Sequence, residues 1–231
     1  KNIPYKLVGG VSFYQRREIR DVLAILRLVV SDTDAMAFKR AIQTPKRGMG
    51  ETSLDRLVEA SEKEGVPIVL YSHQVLEGVS DLKLTGPAKK GLQQFLQMLL
   101  SLRQASRTLS LGDFLKKMVE ESGYLHFLQQ DKETYEERKE NVYALISKAM
   151  IWRGEKEPIL ASEALEPFLE ELSLKSSLDE AQQEGQAIQL MTIHNSKGLE
   201  FEVVFLSGLE EDLFPHVNSR GELEKVEEER R

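Results

Sequence analysis

The sequence predicts an α/β fold interrupted by a large all-helical insertion. Three observations carry this prediction. Strand-like runs stand near both ends of the 231 residues. Apolar residues return at helical spacing through most of the chain between them. At Glu184-Gly185 the texture changes back to two-residue alternation. An insertion produces this order: the ends belong to one sheet, and the helices form a separate lobe. Periodicity alone does not prove that the ends pair.

Tyr5 to Val8 reads as a strand closed by the Gly9-Gly10 turn. Ser12 is placed to cap the next helix, with Gln15 completing a capping box. Ile19, Val22, Leu23, Leu26 and Val30 form that helix's apolar face, and Arg16, Arg20 and Arg27 stand opposite. Ser31 to Asp34 ends it and offers caps to a second helix with Ala35, Phe38, Ala41 and Ile42. Pro45 stops that helix, and Gly48 and Gly50 permit a tight path. Thr52 or Ser53 starts the next, with Leu54, Leu57 and Val58 inward. From Leu70 to Glu180 the pattern is mostly helical, broken at Gly78, Gly86-Pro87 and Gly154 to Pro158. Leu165 to Leu178 is less regular. Ile188, Leu190 and Thr192 alternate as a strand, and Asn195 to Gly198 reads as a turn. Val203-Val204-Phe205-Leu206 suits a buried strand of a parallel sheet. The charge-dense tail from Gly221 reads as the start of a helix.

Composition narrows the chemistry. Lys and Arg number 31 against 38 Asp and Glu, a formal charge of -7. A chain-wide basic footprint for nucleic acid is therefore absent, although a local patch is compatible with that balance. There is no cysteine, which excludes disulfides, thiolate metal sites and cysteine nucleophiles. No run reaches the roughly 18 apolar residues of a membrane span. His194 and His216 lack a third ligand at metal spacing, and no serine is framed as a nucleophile elbow. No GxxxxGK[ST] phosphate-binding loop is present, so nucleotide hydrolysis needs residues outside this sequence.

Two segments carry candidate chemistry. Thr192 to Glu200 sets His194, Asn195, Ser196, Lys197, Gly198 and Glu200 in a loop after a strand. Ligands of open α/β sheets bind outside the carboxyl ends of strands. Lys197 suits a phosphate, the backbone around Ser196 to Gly198 an anion nest, and Glu200 ribose hydroxyls. The same residues also fit an ordinary polar loop. In Pro45 to Gly50, Lys46 and Arg47 precede the glycines and Met49, and helix N–H groups follow, an arrangement able to hold a DNA phosphate. Two basic residues before a turn are also common on surfaces. Arg16 and Arg17 could reach a phosphate or form surface ion pairs, and Trp152 and Tyr143 fit either base stacking or a domain seam.

Taken together, these motifs resemble those of superfamily 1A DNA helicases of the UvrD/PcrA/Rep type. The resemblance rests on Ile3-Pro4-Tyr5, Val8-Gly9-Gly10, Phe13-Tyr14, Arg16, Glu18-Ile19 and Asp21, then Pro45 to Gly50. It is densest at Leu190 to His194, Lys197 to Phe201, Val204 to Leu206, Gly208 to Glu211 and Leu213 to His216. Asn195 and Ser196 depart from the family's usual small pair, Met49 from a frequent isoleucine and Asp212 from a frequent glycine.

The resemblance implies a partial RecA-like, P-loop NTPase-like subdomain 2A at residues 1–40 and 184–231. It implies a helical subdomain 2B at 41–183. The chain then reads as a C-terminal-half piece, without subdomains 1A and 1B, of a bacterial, cytoplasmic, ATP- and Mg2+-dependent helicase moving 3′ to 5′ on DNA. Thr192, His194, Asn195 and Ser196 are implied to meet single-stranded DNA. Lys197, Gly198 and Glu200 couple to the nucleotide. Lys46, Arg47, Gly48, Met49 and Gly50 touch forked duplex DNA, and Arg16 and Arg17 support 2A. No resident metal is expected, and the piece alone is expected to be inactive. Implied partners are 1A and 1B in the same protein and repair or replication proteins. A helicase-nuclease subunit of the AddA/RecB type, or a non-enzymatic binding module, is the competing reading.

Overall fold

A computed structural model describes residues 5–7, 13–152, 159–181, 188–196 and 198–210. The chain divides into two compact units, one of residues 1–10 with 187–231, the other of residues 11–186.

In the first unit the two ends of the sequence pair. β1 (Tyr5–Leu7) lies parallel to β2 (Ile188–Leu190), with Tyr5 opposite Ile188, Lys6 opposite Gln189 and Leu7 opposite Leu190. Parallel neighbours need a crossover. Here the crossover contains the whole second unit. β2 leads into a single helical turn, Ile193–Ser196. The apolar run 203–206 does not form the expected buried strand: Val203 is 71% exposed and Phe205 92%. A strand buried on both faces needs pairing partners and covering layers, and among the described residues the sheet has only β1 and β2.

The second unit is helical. Its elements are α1 (Arg17–Val30), α2 (Ala35–Gln43), α3 (Glu51–Glu64), α4 (Ile68–Glu77), α5 (Gly86–Ser106), α6 (Leu111–Glu121), α7 (Tyr124–Leu128), α8 (Tyr135–Met150) and α9 (Ala161–Ala181). α1 is the centre, packing against α2, α5, α8 and α9, with Ile19, Ile25, Leu26 and Leu28 wholly buried. It follows a 3-10 turn at Phe13–Gln15, and Arg16 occupies its N-cap. The expected cap Ser12 lies outside the described residues. Asp34 caps α2 by accepting from the Ala37 N–H at 2.8 Å. α9 is one helix despite Pro167 and the weak pattern of its sequence.

α1 and α2 pack among the other helices of the second unit. The physical reason is the double use of α1. Its apolar face is covered by other helices, and its acidic residues are also inside. Asp21 accepts from Arg40 Nε at 2.6 Å and from the Tyr124 hydroxyl at 2.8 Å. Glu18 accepts from Asn141 Nδ2 at 2.7 Å. Buried carboxylates require such partners, and these partners come from α2, α7 and α8.

Candidate nucleic-acid interface

The segment between α2 and α3 is shaped by its own residues. Pro45 follows α2 through a cis peptide bond. Gly48 adopts φ +75°, a left-handed conformation that favours glycine. Met49 is 7% exposed and belongs to the hydrophobic core, which anchors the loop from beneath. Gly50 then takes the N-cap of α3 in an extended conformation, without a side-chain cap. The first N–H groups of that helix, in residues 51–53, have no intrahelical acceptor by geometry. Lys46, Gly48, Gly50, Glu51 and Thr52 are exposed beside them.

Lys46 and Arg47, adjacent in sequence, differ in placement. Lys46 is at the surface. Arg47 turns inward, donating from one terminal nitrogen to the carbonyls of Ala41 at 2.9 Å and Pro45 at 3.0 Å. Its other terminal nitrogen donates to the Ser122 carbonyl at 3.0 Å. The guanidinium lies 5.4 Å from the centroid of the Phe95 ring. Burial lowers its pKa to about 10, so it remains a cation at neutral pH.

α5 supplies the floor of this loop. A Cβ added at Gly91 would lie 1.5 Å from the Arg47 carbonyl oxygen, and one added at Gly48 would lie 3.0 Å from that of Pro87. Sequence reasoning missed Gly91 and Phe95 as parts of the site. A lone glycine within an apolar helical pattern was the available signal of close approach.

Arg16 is likewise engaged inside the helical unit, donating to Asn141 Oδ1 and lying against the Phe13 ring. Arg17 is exposed, and its carbonyl accepts from Arg40 at 3.4 Å. Trp152 packs edge-on against Phe168 and donates to Glu171 at 2.7 Å, which is a packing role. A groove of about 880 Å3 is lined in part by Arg20, Arg27, Lys39 and Arg40. Asp21 and Asp55 hold Arg40 and Lys39 at 2.6 Å, so much of its positive charge is answered within the protein.

The second candidate segment belongs to the paired-strand unit. Both strands point their carboxyl ends the same way, and the chain leaves β2 at Leu190 toward Thr192. The Thr192 hydroxyl accepts from the Asn195 N–H at 3.3 Å, and its carbonyl accepts from the N–H groups of Asn195 and Ser196. Ser196 Oγ donates to the Ile193 carbonyl at 2.7 Å. The expected turn is therefore a closed helical turn, which we label α10, that presents Asn195 and reverses at Gly198, φ +83°. Thr192, Asn195, Gly198 and Glu200 are exposed. His194 lies in α10, but its side chain is outside the description, as is Lys197 entirely. So are Asp212, His216 and the acidic tail. Among the described residues no His, Asp and Glu cluster is arranged to hold a metal.

Comparison with known proteins adds a family to this geometry. The chain is 36% identical over 234 residues to the ATP-dependent DNA helicase PcrA of Bacillus subtilis (strain 168), covering 98% of this chain and 31% of that protein. It is 33% identical over 233 residues to DNA helicase II of Escherichia coli (strain K12), covering 100% of this chain and 32% of that protein. For PcrA of Leuconostoc citreum the identity is 35% over 236 residues, covering 100% of this chain and 31% of that protein. The chain thus spans about a third of the length of the curated relatives it matches. The profile of the UvrD-like helicase C-terminal domain matches residues 1–231, and the chain belongs to that family.

Proposed function

We propose that this chain is the part of an ATP-dependent 3′-to-5′ DNA helicase that lines one side of the nucleotide cleft and carries a duplex-facing lobe. The carrying observation is the parallel pairing of β1 with β2, with the Thr192 to Glu200 segment leaving the carboxyl end of β2. Ligands of α/β sheets sit at that edge. The names of the relatives, ATP-dependent DNA helicase and DNA helicase II, support the same reading. The paired strands, with residues 1–40 and 184–231, then belong to RecA-like subdomain 2A and the helices of residues 41–183 to 2B.

In this reading ATP and Mg2+ bind against residues supplied mainly by the rest of the protein. Lys197, Gly198 and Glu200 sense the nucleotide, and Thr192, His194, Asn195 and Ser196 pass its state to single-stranded DNA. Lys46 and the N–H groups beginning α3 hold a duplex phosphate through charge and the helix dipole. Cleft closure and reopening shift the balance of two conformations and move the protein along the strand. The protein works in the cytoplasm, with subdomains 1A and 1B in the same polypeptide and repair or replication proteins as further partners.

An ATPase assay tests the division of labour. Residues 1–231 alone give no DNA-stimulated turnover, because the sequence has no phosphate-binding loop. The full-length protein carrying this chain hydrolyses ATP and unwinds a duplex with a 3′ single-stranded tail. Turnover by the chain alone, or unwinding only from a 5′ tail, overturns the reading.

A further inference from the structure

We infer that Arg47 is a positioning residue of the duplex-facing loop and not one of its phosphate ligands. The inference rests on the reading that this loop meets duplex DNA. Three elements converge on the guanidinium: the last turn of α2 through the Ala41 carbonyl, the C-cap of α6 through the Ser122 carbonyl, and α5 through the Phe95 ring. The Pro45 carbonyl closes the loop on the same group, and Met98 Sδ lies 3.7 Å from it. No carboxylate among the described residues pairs with Arg47. Its counter-charge is the negative end of two helix dipoles, both presented as carbonyls. A planar fork spans such separated acceptors and stacks on a ring, whereas an ammonium is a point charge with neither property.

The consequence lies in the backbone that follows. With the side chain fixed beneath, the Arg47 carbonyl is seated against Gly91 and Gly48 against Pro87. Those contacts set the path by which the chain enters α3. Lys46 and the N–H groups of residues 51–53 are then held in one orientation, so their ordering cost is met before DNA arrives. Arg47 thus acts on DNA through the loop, and Gly91 is the second half of the same device.

The test uses the full-length protein carrying this chain and a forked duplex of fixed sequence, with affinity measured over a range of salt. Lys46→Ala reduces the slope of log affinity against log salt by about 1, as for one lost phosphate contact. Arg47→Lys and Arg47→Ala both weaken binding on the order of tenfold, the size expected for a few phosphate contacts. In either Arg47 background, adding Lys46→Ala costs much less than in the wild type, because interacting residues couple. Phenylglyoxal labelling, mapped by mass spectrometry on the wild-type protein, finds Arg47 protected with and without duplex.

The inference is overturned if Arg47→Lys keeps wild-type affinity and salt slope while Arg47→Ala loses both, since that pattern belongs to a phosphate contact. Labelling of Arg47 in the free protein with protection only by duplex overturns it equally. If neither Lys46→Ala nor any Arg47 variant changes duplex binding, the interface reading itself falls, and the inference with it.

Discussion

Tyr124 holds its hydroxyl 2.8 Å from Asp21 inside the helical unit. Burial, and then the Asp21 charge, push its ionisation well above the ordinary phenol range. A raised folded-state pKa gives stability that is complete below the unfolded pKa, about 10. It is lost as pH rises beyond that value, because only the unfolded chain then releases the proton. The denaturation midpoint should therefore fall between about pH 9 and pH 11, and Tyr124→Phe should fall less steeply over that interval. A parallel pH series of urea unfolding checks the difference. At Gly91 the prediction is steric. Gly91→Ala drives a methyl group into the Arg47 carbonyl and should cost about 1–3 kcal/mol, read from the same unfolding curves. The residue scale is also where sequence reading met its limit. Lys46 and Arg47 are neighbours of like charge, and nothing in their order distinguishes the exposed cation from the half-buried one. The distinction is made by Ala41, Phe95 and Ser122, whose groups converge on Arg47 only after folding.

Among elements, α2 illustrates local control. Asp34 accepts from the Ala37 N–H and satisfies one of the orphan donors of the first turn. Asp34→Ala should destabilise the helical unit by about 1 kcal/mol, and Asp34→Asn by less, measured by urea unfolding. The apolar spacing of α1, α2 and α3 and the Asp34 cap of α2 were legible because a helix needs only its own periodicity and punctuation. By contrast, α1 and α3 start behind Arg16 and Gly50, neither of which makes a side-chain cap. α9 was less legible, since Pro167 and mixed spacing weaken the local pattern while Ala161, Ala164, Leu165, Phe168 and Leu172 are buried by neighbours. Residues 203–206 err in the opposite direction. Their apolar character predicts a strand, but the ladder and its covering layers are tertiary features, and the run is exposed here. That a turn follows β2 was legible in the sequence, whereas its closure on the Thr192 carbonyl depends on backbone geometry.

For the molecule as a whole, the notable property is that residues 11–186, which separate β1 from β2 in the sequence, form a compact unit of their own. Its hydrophobic core runs from Ile19 to Leu172. Residues 11–186 expressed alone should therefore give a helical far-ultraviolet spectrum and one cooperative thermal transition. A gradual, uncooperative melt would contradict this. No helix among the described residues is long and apolar enough to cross a membrane, in keeping with a core that is buried by other helices. The formal charge of -7 gives no chain-wide basic excess, which suits narrow DNA contacts of the kind proposed at Lys46.

The sequence by itself determined the strand-helices-strand order, most of the helices and the family motifs, because periodicity, glycines and short spacings are local properties of a chain. Tertiary structure alone decided that the two ends pair in parallel, that α1 and α2 pack with the inserted helices, and that Arg47 faces inward while Lys46 faces out. Each of those outcomes depends on which distant residues meet. A guanidinium ringed by carbonyls from two helices and a ring from a third is a property of packing, and no spacing within six residues encodes it.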